Sequence, residues 1–191
     1  MEVNYTCRQL PSAKMLENWL AQTPPDFAFS CKAHMKLTHI MKLKDAGTFT
    51  DVFLRSLEPL RAARRLGPVL YQFAPTFKID LARLDEYLPL LPADIRFAFE
   101  FRHASWLCDE VCERLAARGI ALCLAESEKL EVPKVFTADF GYFRLRKADY
   151  TPEMRATCVR RWRHHSPPGA RPTFTSNMRK TRTERSGQRN Y

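Results

Sequence analysis

Apolar side chains recur along this chain in two alternating rhythms: a period of two over short runs, and a period of three to four over longer ones. Phe97, Phe99 and Phe101 alternate with Ala98 and Glu100, which predicts a strand with a carboxylate set among aromatics. Further strands are predicted from Glu2 to Thr6, Phe27 to Ala33, Val69 to Pro75, Ile120 to Ala125 and Phe140 to Arg146. Met15, Leu16, Trp19 and Leu20 predict a first helix, with Ser12 as its N-cap and Thr23-Pro24-Pro25-Asp26 as its end. Val52, Phe53, Leu57, Leu60 and Ala63 predict the inner face of a second, capped by Thr48 or Thr50. A third carries Leu81, Leu84, Tyr87, Leu88 and Leu91 and stops at Pro92. A fourth, capped by Ser105, carries Leu107, Val111, Leu115 and Ala116, with Gly119 suited to its C′ position. A last helix starts near Thr151-Pro152-Glu153, with proline at N1, and runs to about Arg163.

Strand followed by helix, six times over, predicts an α/β fold of about six parallel strands joined by crossovers. The near-continuous apolar strands suit a sheet covered on both faces. A (β/α)₈ barrel and an open doubly wound sheet both fit this order. No GxGxxG or Walker loop occurs, so nothing points to a nucleotide cofactor, and the sequence names no other cofactor. The connection from His34 to Gly47 is long for a βα loop, a length often associated with function.

With 191 residues, 45% of them hydrophobic, the chain can bury one core. No apolar run approaches the 18 or so residues of a membrane span. The first residues lack the basic and apolar regions of a secretory signal. Six scattered cysteines, Cys7, Cys31, Cys108, Cys112, Cys123 and Cys158, form no close CxxC pair. They read as reduced thiols in a cytoplasmic protein, with no metal framework. The net charge of +10 is uneven. Residues 164–191 hold six Lys/Arg against one acid, while the rest hold 25 bases against 20 acids, so half the excess lies in the final segment. That segment has no hydrophobic period. The sequence thus divides into a domain over 1–163 and a basic tail over 164–191.

Polar residues gather near the C-terminal ends of the predicted strands, the edge at which α/β folds bind ligands. Glu100, Lys32 and His103 are the candidate catalytic groups: a carboxylate tuned by burial, a cation for a phosphate or carboxylate, and a proton carrier. Glu2, Asn4, His39, Gln72, Arg102, Trp106 and Arg144 are the candidate substrate-binding groups, and Glu126 lies at a further strand end. Plainer readings stand beside these. Glu100 can be a buried ion pair with Arg102 or Lys32, and Trp106 a packing residue at a helix start. His39 or His103 can be a loop histidine with no ligand.

Several of these pieces resemble the family called domain of unknown function 72, also known as YecE-like. They are Glu2-Val3-Asn4-Tyr5-Thr6, Lys32-Ala33 with Thr38-His39, Leu70-Tyr71-Gln72-Phe73-Ala74-Pro75, Glu100-Phe101-Arg102-His103-Ala104-Ser105-Trp106 and Tyr142-Phe143-Arg144-Leu145. They fall in family order over about residues 2–163. The resemblance implies a TIM-barrel-like fold and no established reaction. It also implies a first strand and helix before the Glu-Val-Asn piece, and a last strand with a Phe-Lys-His-Glu motif. The chain as written is therefore expected to be an incomplete barrel, with raw edges, marginal solubility and no activity of its own.

Three functions fit this reading. The first is an acid–base enzyme acting on a small anionic or phosphorylated substrate. The second is a metal-assisted hydrolase or isomerase acting on nucleic acid or sugar, by fold analogy. The third is a non-catalytic module that binds RNA or DNA through positive charge, which the uncertain standing of the tail weakens. No membrane partner is expected, and the sequence fixes no oligomeric state. The tail has a testable origin. Read one base out of frame, the codons of Pro172 to Arg182 can encode Tyr-Val-His-Phe-Lys-His-Glu-Lys-Asp-Glu, which contains the family motif. Sequencing the locus is expected to show that motif and an open continuation in the shifted frame; a shifted frame lacking either overturns the frameshift origin.

Overall fold

The computed structural model describes residues 1–126, 130–145, 151 and 153, with the backbone alone at 145 and 171–176. It is an α/β fold in which parallel strands alternate with helices. The strands are β1 (Glu2–Val3), β2 (Ser30–Cys31), β3 (Val69–Gln72), β4 (Phe97–Glu100), β5 (Ala121–Ala125), β6 (Phe140–Leu145) and β7 (Arg171–Ser176). All their pairings are parallel and run in chain order from β3 to β7. β1 pairs with β2, and the bridges Phe29–Leu66 and Lys32–Leu70 join β2 to β3. The helices are α1 (Ala13–Ala21), α2 (Gly47–Ser56), α3 (Glu58–Ala62), α4 (Leu81–Tyr87) and α5 (Asp109–Ala117).

The sheet is rolled. β1 and β6 lie five strand steps apart, about 24 Å in a flat sheet at 4.8 Å per step. Yet Arg144 on β6 lies 2.8 Å from Glu2 on β1, and Tyr142 lies 2.8 Å from Ser30. The curl is barrel-like, although among the described residues no pairing closes it.

Strand alternation splits the core in two. Tyr71, Phe73, Phe97, Phe99, Phe101 and Leu122 face the helix layer, against Leu16, Phe53, Leu84, Val111 and Leu115. Leu70, Ala98, Ala121, Cys123, Phe140 and Tyr142 form a smaller cluster inside the roll. Ala98 and Ala121, paired on neighbouring strands, are the smallest members of that cluster. This corrects the expectation that Glu100 sits among the phenylalanines: at period two they take the helix side and Glu100 the inner side. The β5–β6 connection carries no helix over its described residues 130–139, so the strict strand–helix repeat lapses there. Thr137 instead ties it down, donating to Ile120 O (2.6 Å) and accepting from Leu122 N–H (2.8 Å).

Local signals held unevenly. Ser12 does cap α1, its Oγ accepting from Met15 N–H at 3.3 Å. Thr50 does not cap α2. Its hydroxyl donates to Ala46 O and pairs with Tyr87 OH, which in turn donates to Tyr71 OH. On α2 and the following turn, Leu54 is buried where Val52 was expected, and Ala63 is exposed. Ser105 does not cap α5; Cys108 holds that position, and Ser105 Oγ accepts from Ile79 N–H at 2.9 Å. The first two strands shrink to two residues each, β1 giving way to a 3-10 turn over Tyr5–Cys7. The 34–47 connection holds a π-helical turn, Lys36–Ile40, followed by left-handed Lys42, Leu43 and Asp45. β7 falls inside the segment read as a tail, while the helix expected from 151 to 163 lies almost wholly outside the described residues.

Gly119 follows α5 at φ +61°, and a Cβ there would meet nothing within 4 Å. Gly119→Ala is therefore expected to lower stability by about 1 kcal/mol, from the left-handed backbone alone. Urea denaturation of the folded chain checks this.

Candidate functional site

The inner face of the roll turns polar toward the C-terminal ends of the strands. Below lie Leu70, Ala98 and Phe140; one step of two further on stand Gln72, Glu100 and Tyr142, and Arg144 follows. Parallel pairing places Gln72 level with Glu100. The bridge between Lys32 and Leu70 sets Lys32 beside them.

These side chains form one hydrogen-bonded network. Arg144 Nη1 donates to Glu100 Oε2 at 2.6 Å; its Nη2 and Nε donate to Glu2 Oε1 and Oε2 at 2.8 and 2.9 Å. Gln72 Nε2 donates to both Glu100 oxygens, at 3.0 and 2.9 Å, and Lys32 Nζ donates to Gln72 Oε1 at 2.7 Å. On the other side Tyr142 OH donates to Glu2 Oε2 at 3.2 Å and lies 2.8 Å from Ser30 Oγ, whose proton goes to Pro68 O at 2.6 Å. Residues from five strands or strand ends are thereby locked together.

The electrostatics follow from burial. Glu2, Glu100 and Arg144 are almost wholly enclosed, with side chains no more than 8% exposed. Burial works against the Arg144 charge, but Glu100 and Glu2 outweigh it and push its pKa up. Burial, aided by the Glu2 charge, raises the Tyr142 phenol. Lys32 shifts the other way: desolvation and the Arg144 cation lower its pKa, against the opposing pull of Cys7, Glu2 and Glu100. His39 is lowered too, by desolvation, then Lys32, then Arg102.

Of the residues singled out from the sequence, Glu2, Lys32, Gln72, Glu100 and Arg144 therefore come together. The partner of Glu100 is Arg144, not Arg102 or Lys32 as the plainer reading had it. His39 lies at the edge, with Nδ1 2.8 Å from Thr38 Oγ1, and Arg102 is exposed at the end of β4. Asn4 is exposed and opens the 3-10 turn without a side-chain cap. His103 is turned away: its Nδ1 accepts from Ser105 N–H at 3.2 Å and caps the turn Ala104–Trp106. Trp106 is 1% exposed, donates to Phe77 O at 2.7 Å and stacks on Phe101 at 4.6 Å. Glu126 N–H donates to Arg144 O. The sequence reading missed Ser30 and Tyr142. Their signal was a hydroxyl at an inward position of an apolar run, in register with the charges. Among the described residues no three His, Cys, Asp or Glu side chains converge as metal ligands, and no helix is long and apolar enough to cross a membrane.

The family described as "Protein of unknown function DUF72" matches residues 1–184. The chain belongs to the DUF72 family. Among curated relatives, the UPF0759 protein YecE of Escherichia coli K12 is 29% identical over 121 residues, covering 63% of this chain and 44% of that protein. The UPF0759 protein YunF of Bacillus subtilis is 30% identical over 113 residues, covering 56% and 40%. The matched stretch thus spans less than half of these relatives' length. A crystallised DUF72 protein from Thermotoga maritima is similar with a TM-score of 0.74 and 28% identity, over 93% of this chain and 76% of that one. One from Enterococcus faecalis shares the fold at a TM-score of 0.75 and 18% identity, over 92% and 81%.

Breaking the DUF72 network at its cation has a defined cost. Arg144→Met removes the guanidinium that buried Glu2 and Glu100 share and is expected to lose about 3–5 kcal/mol. Arg144→Lys keeps the charge but loses the fork, and is expected to fall between the two. Chemical denaturation of the three proteins checks the order.

Proposed function

We propose that the mouth of the rolled sheet binds a small anionic or phosphorylated substrate and moves a proton on it, with Lys32 as the acid–base group. Glu100 is the less suitable proton carrier. Its two oxygens already accept from Arg144 and Gln72 and are engaged within the network. Its role in this reading is to hold Gln72, and through Gln72 the amine of Lys32.

The observation that carries the reading is the placement of Lys32. Its Nζ ends the network on the open side, tethered at 2.7 Å to an amide oxygen and half-buried, while the carboxylates are committed to Arg144. A desolvated amine near a second cation is the environment that prepares a lysine for general-base or nucleophilic work. Its attraction for an anion comes from the same charge.

A neutral amine reacts with trinitrobenzenesulfonate and an ammonium does not, so labelling against pH reports the Lys32 titration. A lowered pKa moves the neutral form to lower pH. The midpoint for Lys32 in the folded chain, read by peptide mapping, is expected to lie below its midpoint in the same chain unfolded in urea. Coincident midpoints overturn the reading.

A further inference from the structure

We infer that Lys32, His39 and Arg102 form a phosphate subsite at the mouth of the roll. The inference rests on the reading above and names the substrate class as a phosphomonoester.

Charge bookkeeping comes first. Within the buried network two acids, Glu2 and Glu100, face two cations, Arg144 and Lys32. Arg102 stands outside that balance, with no hydrogen bond or ion pair among the described residues. Its position follows from strand alternation: Ala98 and Glu100 face inward, and Arg102 is the next residue of that set, one step above Glu100 at the mouth. β2, β3 and β4 are neighbours; Lys32 is level with Leu70 and Ala98, and Arg102 lies two strands across and four residues further along, about 16 Å of backbone separation. An anion held between the two long side chains would bridge what remains of that gap. His39 comes from the turn after β2 and is anchored by buried Thr38, whose Oγ1 takes up Nδ1 at 2.8 Å. Among the described residues Nε2 has no hydrogen-bond partner.

The donor set selects the anion. A guanidinium fork, an ammonium and an imidazole can serve three terminal oxygens, the number that a phosphomonoester presents. A carboxylate brings one negative charge where the phosphomonoester dianion brings two, so three positive groups favour the phosphate. The imidazole also couples binding to pH. Burial first, and then the Lys32 and Arg102 charges that face it, lower the His39 pKa from its ordinary value. A dianion between the three reverses that repulsion. His39 is then protonated in the complex and neutral in the free protein, so binding takes up a proton between the two midpoints.

The test is titration of the 191-residue chain with inorganic phosphate, followed through the ring signals of His39, which His39→Asn identifies. Phosphate is expected to raise the His39 midpoint by about one pH unit. Arg102→Ala, at an exposed position, is expected to weaken phosphate about tenfold, the worth of one charge-assisted hydrogen bond. Acetate is expected to bind at least about tenfold more weakly than phosphate. A His39 midpoint indifferent to phosphate, unchanged affinity in Arg102→Ala, or equal binding of acetate each overturns the inference. The two readings fail separately. Lys32 labelling is measured without phosphate, so a shifted labelling midpoint with no phosphate binding sinks the subsite alone. Phosphate binding with an unshifted midpoint sinks the acid–base role alone.

Discussion

One guanidinium between two carboxylates ties this fold together. Arg144 on β6 reaches Glu2 on β1 and Glu100 on β4, with three N–H donors shared between them. In water such contacts would contribute little. In a dry interior the attraction is far larger, and so is the cost of removing any one member. Because β1 and β6 stand at distant places in the strand order, this triad forms only when the sheet is rolled. The Tyr142–Ser30 contact repeats the same cross-connection with neutral hydroxyls. The charges therefore select one curvature.

The two layers inside the roll divide the work. The lower one is apolar and uses small residues: Ala98 and Ala121 leave room for Phe140 and Leu70. The upper one is polar and nearly saturated. Parallel register makes the division sharp, since one step of two along β3 and β4 turns Leu70 and Ala98 into Gln72 and Glu100 together. A polar layer of this kind requires every donor to find an acceptor, and here each link is made by a residue from a different strand.

Much of this could be read from the chain. Short apolar runs, one of them alternating at Phe97, Phe99 and Phe101, located β3 to β6, Ser12 announced α1, and Gly119 marked the end of α5. The side taken by Glu100 was misread as lying among the aromatics, although alternation puts it opposite Phe99 and Phe101. What the sequence did not carry was partnership. Glu100 and Arg144 are 44 residues apart, and Tyr142 and Ser30 are 112 apart. Such pairs depend on the roll of the whole sheet, while local pattern encodes only direction. Caps failed for a related reason. Thr50 and Ser105 had the right chemistry for helix starts, but tertiary neighbours, Tyr87 and the Ile79 amide, offered their hydroxyls other bonds.

The same logic separates scaffold from chemistry. A group whose hydrogen bonds are all satisfied inside a dry core is held in one charge state, and changing that state breaks several bonds at once. Arg144 is of this kind. A group tethered once, half-buried and near like charge sits closer to the point at which its two protonation states exchange. Lys32 and His39 are of that kind, and they lie on the open side of the network. The rigid triad beneath fixes where Lys32 stands, through Gln72, so the precision of the mouth derives from buried charges.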